Sequence, residues 1–405
     1  MSNITDQPPQ TSFSLAMLIS DKRYRSLTFQ FFALLGLILF VAWLVSNAVT
    51  NLENLGQDIS YDFLGSAAGY DINQKPISFS SQDTHLRAAF VGALNTLIVA
   101  FLGCITATIL GVLAGVLRLS KNWVVSKLMA IYVEAFRNVP VLIWILIIFS
   151  IMTVSMPAPN AFRGADPEAT MLFGSFAFTN RGVYMPAPIW QAGSMIVVMT
   201  FILSVIGMFA YRRYATKVLF DTGRLLPMGW PSLVIFFVPT ILMFFIMGRP
   251  IGLEYPSLQG FNFQDGIQVR GSLIALWLAL SVYTGAFIAE NVRAGIIAIS
   301  QGQTEAAGAL GMRPNRIMNL VVLPQALRVI IPPLISQYLN LTKNSSLAIA
   351  VGYMDITSTL GGITLNQTGR AIEAILLLML FYLVISLGIS AIMNVYNNAV
   401  KLKER

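Results

Sequence analysis

Eight apolar runs, at roughly 28–48, 88–117, 128–152, 190–210, 231–248, 271–290, 331–351 and 374–395, divide this 405-residue chain. A helix needs about 20 predominantly apolar residues to cross the hydrocarbon core of a bilayer. The pattern therefore predicts an all-α integral membrane protein with about eight transmembrane helices. Hydrophobic residues make up 56% of the chain and charged residues 11%, with a mean hydropathy of +0.70, against roughly 25% charged in a soluble domain. Too little charge remains to clothe a soluble surface of this size. The first run is too long for the apolar core of a signal peptide, and no small-residue cleavage pattern follows it, so it is expected to stay as a span.

Lysine and arginine placement sets the orientation. With the N-terminus in the cytosol, 17 of the 26 basic residues fall in cytosolic segments and 7 in outer ones, while Arg137 and Lys343 fall within spans. This asymmetry follows the positive-inside rule and places both termini in the cytosol. The net charge of +8 has the same origin, since the outer segments hold 11 acidic residues against those 7 basic ones. A basic chain of this kind carries its charge for orientation, and nucleic-acid binding is not expected. One cysteine, Cys104, and one histidine, His85, argue against a disulfide, a metal cluster or a Ser-His-Asp triad. Cys104 reads as a small packing residue, and His85 as an interfacial residue at an outer boundary. Gly103 and the pair Gly111 and Gly115 read as close-packing positions on the second span.

Between the runs, residues 1–27 form a polar cytosolic tail that turns amphipathic near Phe13–Ile19. Residues 49–87 form a polar outer segment. Residues 153–189, with Pro157, Pro159, Pro167, Pro186 and Pro188, suit an irregular outer loop. A short cytosolic link covers 211–230, an outer segment 352–373, and a C-terminal tail 396–405. The longest non-span stretch on the cytosolic side is 291–330. Within it Thr304 can cap a short helix whose first turn is Glu305-Ala306-Ala307. Ala306, Ala307, Gly308 and Ala309 leave a thin face that another protein can approach. Gly311 is placed to end that helix in the left-handed conformation, and Pro314 to start another.

The spacing Glu305-Ala306-Ala307, three residues, Gly311, nine residues, Val321, one residue, Leu323-Pro324 resembles the EAA loop of ABC-importer permeases. The flanks are similar to the polar amino-acid branch: Glu290-x-x-Arg293, Gly302-Gln303, Pro324-Gln325-Ala326-Leu327-Arg328, Lys343-Asn344-Ser345-Ser346-Leu347, Gly92-x-x-Asn95-Thr96-Leu97 and Glu134-x-x-Arg137-Asn138-x-Pro140. The extra first span and the insert at 153–269 look like the larger permease subunits of general L-amino-acid uptake systems. The resemblance implies a type I importer core over 88–395, interrupted by that insert, with an ATPase-coupling loop at 291–330. It implies docking through Gln303, Glu305, Ala306, Ala307, Gly308, Gly311, Leu323 and Pro324.

It further implies two cytosolic ATPase subunits, a second permease that is a heteromeric sister chain, a periplasmic amino-acid-binding protein, and a bacterial inner-membrane location. No glycine is followed by lysine, so no phosphate-binding loop is present, and ATP and magnesium would belong to the partner ATPase. The rival class is an ion- or proton-coupled secondary transporter, which often shows repeated halves that this chain lacks.

Charges inside spans are costly and mark candidate sites. Glu134 and Arg137, three apart, permit a local ion pair, with lining of a substrate path as the functional alternative. Glu290 and Arg293 repeat that spacing and read as bracing. Lys343, Asn344, Ser345 and Ser346 are candidates for the substrate path. Asn344 stands where many relatives carry Asp, so the charge of Lys343 is uncancelled, favouring acidic and neutral amino acids such as glutamate, aspartate, glutamine and asparagine. No catalytic residue and no metal ligand is expected.

Overall fold

A computed structural model describes residues 19, 22–54, 56, 58–164 and 166–400. The expected amphipathic stretch, Ile19 apart, and residues 401–405 of the C-terminal tail lie outside the described residues. The main helices are α1 (Lys22–Asn54), α2 (His85–Leu117), α3 (Trp123–Asn138), α4 (Val141–Ser155), α5 (Ser194–Thr222), α6 (Gly229–Ile246), α7 (Gly271–Ile297), α8 (Gln301–Ala309), α9 (Leu323–Asn344) and α10 (Ala371–Val400). Among the described residues, seven helices are long and apolar enough to cross a membrane: α1, α2, α5, α6, α7, the segment Pro314–Val351 that contains α9, and α10.

The third apolar run is not one straight span. It divides into α3 and α4, which meet at 107° and make an eighth span only as a bent pair. The cause is local. Val139 is pushed into extended backbone (φ −113°, ψ 134°) ahead of Pro140, whose ring disfavours the helical conformation in the residue before it. Phe136 and Trp144 then stack across the elbow with ring centroids 4.1 Å apart.

The core is assembled on α2 and α7, with α4 and α9 packed around them. Small residues decide how close α2 and α7 come. A Cβ at Gly111 would lie 2.5 Å from the Ile288 Cβ, and one at Gly115 would lie 2.6 Å from the Ala289 carbonyl oxygen. Without strong hydrophobic drive between helices in lipid, such backbone approach supplies the packing. Polar groups reinforce it. Trp277 Nε1 donates to Thr106 Oγ1 (3.0 Å), and the Tyr132 hydroxyl donates to the Val282 carbonyl (2.7 Å). The expected packing roles of Gly103, Gly111 and Gly115 hold, and Cys104 packs at the edge of the same core.

The insert departs from the expected irregular loop. Its strands are β1 (Ala177–Thr179), β2 (Gly182–Met185), β3 (Ala187–Trp190), β4 (Ile251–Glu254), β5 (Ser257–Gln259), β6 (Asn262–Gln264) and β7 (Ile267–Arg270). They pair antiparallel as β1-β2-β7, β3-β4 and β5-β6. The prolines stand at edges and between strands, where a missing N–H costs no ladder bond. α5 also continues beyond the expected 190–210 to Thr222, so Arg212, Arg213 and Lys217 ride on a helix rather than in a link. Tyr211 and Arg212 tie it to the α6 side, donating to the Pro227 carbonyl (2.8 Å) and to Ser232 Oγ (3.3 Å).

His85 is buried rather than interfacial. Thr84 caps α2 by accepting from the Arg87 N–H, which puts His85 in the first turn beneath Tyr70. Its Nδ1 lies 3.0 Å from Thr364 Oγ1. The polar segment before α2 folds over it, burying Ala68, Ile72 and Phe79.

Gly111→Val is expected to destabilise the fold by about 2–3 kcal/mol, since an oversized side chain in a packed interface forces backbone to move. Gly36→Val, at a position with open space around it, is expected to be near neutral. Thermal unfolding of the two purified proteins in one detergent checks the contrast.

Candidate functional site

The resembled loop folds as a short exposed helix and a sharp stop. α8 begins at Gln301 after Ser300, not after Thr304. Thr304 is inside the helix, its hydroxyl donating to the Gln301 carbonyl (2.9 Å), so Glu305 lies mid-helix rather than in the first turn. Thr304 was a plausible cap by residue type, but Ser300 supplies extended backbone (φ −62°, ψ 140°) one turn earlier. The stop matches expectation. Gly311 has φ +76°, its N–H donates to the Gly308 carbonyl (2.9 Å), and the Met312 N–H reaches the Ala307 carbonyl (3.3 Å). These two bonds make a Schellman ending.

Only one side of α8 is covered. Ala307 forms a buried cluster with Ile317 and Val322, against which Met312, Val321, Ile296 near the end of α7 and Ile299 just beyond it pack. Gln303, Glu305, Ala306 and Gly308 are exposed, and Leu310 and Leu320 are 83% and 61% exposed beside them. Pro314 opens a one-turn helix, Pro314–Ile317, and a π turn, Met318–Val322, leads into α9 with Leu323 and Pro324 in its first turn.

Three of the four charged candidates, Glu134, Glu290 and Arg293, are linked through Arg118, and Arg137 stands apart from them. Arg118, which follows α2, reaches Glu290 on α7 and stands 3.6 Å from Glu134 on α3. Glu290 also accepts from Arg293 Nη2 at 2.7 Å, the pair that their spacing suggests. Arg137 does not pair with Glu134. It stands over the Phe287 ring, 5.3 Å from its centroid, and its Nε is buried without a hydrogen-bond partner. The ends of α2, α3 and α7 are thus joined through Arg118, which spacing along one helix could not reveal.

Lys343–Ser346 occupies the break in its span. α9 ends at Asn344, a 3-10 turn Ser345–Val351 follows, and Gly352 (φ +68°) reverses the chain. Leu341 packs against Gly103, near the middle of α2, so the break lies deep in the protein. Ser345 is buried, its hydroxyl donating to the Thr342 carbonyl (2.7 Å), whereas Lys343 is exposed and makes no ion pair among the described residues. Among the described residues, no hydrogen bond or ion pair joins this stretch to Glu134 and Arg137. Substrate-path candidates at the two places are therefore separate.

The stretch after Gly352 is not an exposed outer loop. Tyr353, Asp355, Thr359 and Leu360 are buried. Asn95 Nδ2 donates to the Met354 carbonyl (2.9 Å), Thr96 Oγ1 accepts from the Ile356 N–H (3.1 Å), and a Cβ at Gly92 would overlap Thr359. The Gly92-x-x-Asn95-Thr96 pattern is a cradle for this buried turn. Asp355 Oδ1 accepts from the Ser358 N–H (2.9 Å), and its Oδ2 is buried with no partner. Sequence reading passed over Asp355 because it follows the last apolar residue of its run. The polar pair Asn95 and Thr96 inside a span was the available signal.

Residues 204–402 match the family model of the binding-protein-dependent transport system inner membrane component. The chain is 51% identical over 426 residues to the glutamate/glutamine/aspartate/asparagine transport system permease protein BztB of Rhodobacter capsulatus, covering 99% of this chain and 100% of that one. It is 41% identical to the general L-amino acid transport system permease protein AapQ of Rhizobium johnstonii, covering 98% and 97%. A solved amino acid ABC transporter with histidines aligns at a TM-score of 0.45 with 18% identity, over 78% of this chain and 95% of that chain.

Removing Glu290 leaves Arg118 and Arg293 uncompensated in a partly buried setting, where loss of one partner is costlier than loss of both. Glu290→Ala is expected to cost about 2 kcal/mol. Arg118→Met in the same protein should recover part of that loss. Thermal unfolding of the single and double variants gives the coupling, and strict additivity would show that the two side chains do not interact.

Proposed function

The chain belongs to the amino-acid ABC-transporter permeases, the inner-membrane components of binding-protein-dependent transport systems, and on that premise we propose that it carries glutamate, aspartate, glutamine and asparagine from periplasm to cytoplasm. It is a multi-pass inner-membrane transporter subunit with no ATPase site of its own. The observation that carries the substrate reading is full-length identity of 51% to a permease named for those four amino acids. That relationship favours the ABC reading over an ion-coupled secondary transporter.

In this proposal both termini and α8 face the cytosol, a periplasmic binding protein delivers the substrate, and a heteromeric sister permease completes the pore. Two ATPase subunits bind ATP and magnesium and close on α8. Support for the docking role comes from its form. α8 exposes a small-residue face beside uncovered Leu310 and Leu320, and Gly311 fixes where it ends. Closure of an ATPase groove on such a helix would pass to the spans as rigid-body movement, because Ala307 shares a buried cluster with Ile317 and Val322 against which Ile296 of α7 packs. Lys343 is the proposed charge on the substrate path. Its exposed ammonium, without an ion pair among the described residues, would attract acidic substrates.

Glu305→Arg lies on an exposed face and is expected to leave the protein inserted and paired with its sister. Uptake of labelled glutamate into ATP-loaded vesicles, with the proton gradient collapsed, should fall at least about tenfold, a loss of about 1.4 kcal/mol in coupling. The count of bound ATPase by mass should fall, or hydrolysis should run without uptake. Full binding and full coupled uptake in the variant would remove α8 from the ATPase interface. Uptake that stops in the unaltered protein when the gradient collapses would return the secondary-transporter reading.

A further inference from the structure

We infer that the insert and the core together build a binding site for a free α-amino acid, with two arginines for its carboxylate, ahead of the membrane path. The inference rests on the proposed orientation, which puts this end of the molecule in the periplasm. A cavity of about 400 Å³ lies where the β1-β2-β7 sheet meets the start of α7, within the range of small-molecule sites. Arg181, Arg270, Asn180, Asn262 and Gln268 line it, and Phe149 and Val351 from the spans give it an apolar floor.

Two arginines facing one cavity without an acid is the observation that needs a ligand. Neither Arg181 nor Arg270 forms an ion pair among the described residues. Each spends a donor on a backbone carbonyl: Arg270 Nε on Asn73 (3.0 Å) and Arg181 Nη1 on Phe261 (3.2 Å). A guanidinium has five N–H donors in a fork that matches a carboxylate. Those two bonds aim the groups and leave most of the donors available. Asp71, a nearby acid that feels Arg270, is already paired with Lys75 at 2.7 Å. A complementary acceptor is present as well. Asn180 Oδ1 is buried with no partner, placed to take an α-ammonium group. Two cations and an orphaned acceptor lining one cavity suit a zwitterion with an acidic or amide side chain, and disfavour a cationic one.

The site is held by its own framework. Gly182 pairs with Arg270 across β2 and β7, and its φ of +127° lets the turn lie against that strand. A Cβ there would come 2.2 Å from the Val269 carbonyl oxygen. Behind the arginines, buried Tyr184 donates to Asn262 Oδ1 (2.7 Å), and Gln268 Nε2 donates to the Tyr184 hydroxyl (2.8 Å) and to the Arg181 carbonyl (3.3 Å). This polar scaffold fixes Arg181 from the main chain.

The test measures binding of radiolabelled L-glutamate to the complete transporter in nanodiscs, with no binding protein present. Arg181→Gln is expected to raise the half-saturating concentration about tenfold. Arg181→Lys should keep part of the affinity, and L-lysine should compete poorly with the unaltered protein. Arg181 is exposed, so its replacement leaves the sheet in place. Unchanged glutamate affinity in Arg181→Gln and Arg270→Gln overturns the inference, as does loss that follows only Lys343→Met. Unchanged affinity with lost association of the binding protein also overturns it, assigning the arginines to protein docking. Glutamate uptake by the unaltered transporter, measured in parallel, reports on the proposed function separately. Uptake present with binding insensitive to the arginines removes this site alone.

Discussion

The backbone contact between α2 and α7 is the constraint from which the rest of the molecule is built. Gly111 and Gly115 admit Ile288, Ala289 and Val292 at distances no side chain could share. Once those axes are fixed, Arg118 falls within reach of Glu290 at one end. Farther along α2, Gly103 meets Leu341, and Gly92, Asn95 and Thr96 meet the buried turn after Gly352. Each polar group on α2 thus finds its partner because the helix is held in one rotation and one register. In lipid this matters more than in water, since an unmatched polar group has no solvent to fall back on.

The apolar runs, the glycines of α2 and the stop at Gly311 were legible in the sequence because each depends on local chemistry. Length and hydropathy define a span, and a glycine followed by a proline-started helix defines a stop. What could not be read depends on partners distant in the chain. Glu134 and Arg137 suggested each other by spacing, yet Glu134 faces Arg118 and Arg137 faces Phe287. Thr304 had the right residue type for a cap, but a cap is defined by backbone conformation, and Ser300 adopts it first. The strands of the insert are three or four residues long, too short for a period of two to stand out among prolines.

Burial of polar groups separates the two ends of the α2–α7 pair. At the Arg118 end, charges are paired and partly exposed, a setting that holds helices together at moderate cost. At the other end, Asp355 and His85 are buried: Asp355 Oδ1 accepts from the Ser358 N–H and hydroxyl while its Oδ2 has no partner among the described residues, and His85 Nδ1 meets Thr364 Oγ1. Main-chain groups outside regular ladders draw on side chains here, and Asn95 donates to two separate carbonyls, those of Gln74 and Met354.

The segment from Pro314 to Val351 runs continuously from the α8 cluster to the middle of α2, the route along which the proposed coupling would act. It begins with Ile317 and Val322 against Ala307, passes Gly295 with Ile330, and ends with Leu341 against Gly103. Its irregularities are not spread evenly. The π turn lies at Met318–Val322, Pro332 and Pro333 interrupt the middle, and the helix gives way to a 3-10 turn at Ser345. Each removes or lengthens backbone bonds at one place and leaves stiff helix between. A rod with three weak points bends at those points rather than along its length. Lys343 sits immediately before the last of them, so a bend there would turn its ammonium relative to the buried Ser345 beside it, changing the exposure of the charge without moving the core formed by α2 and α7.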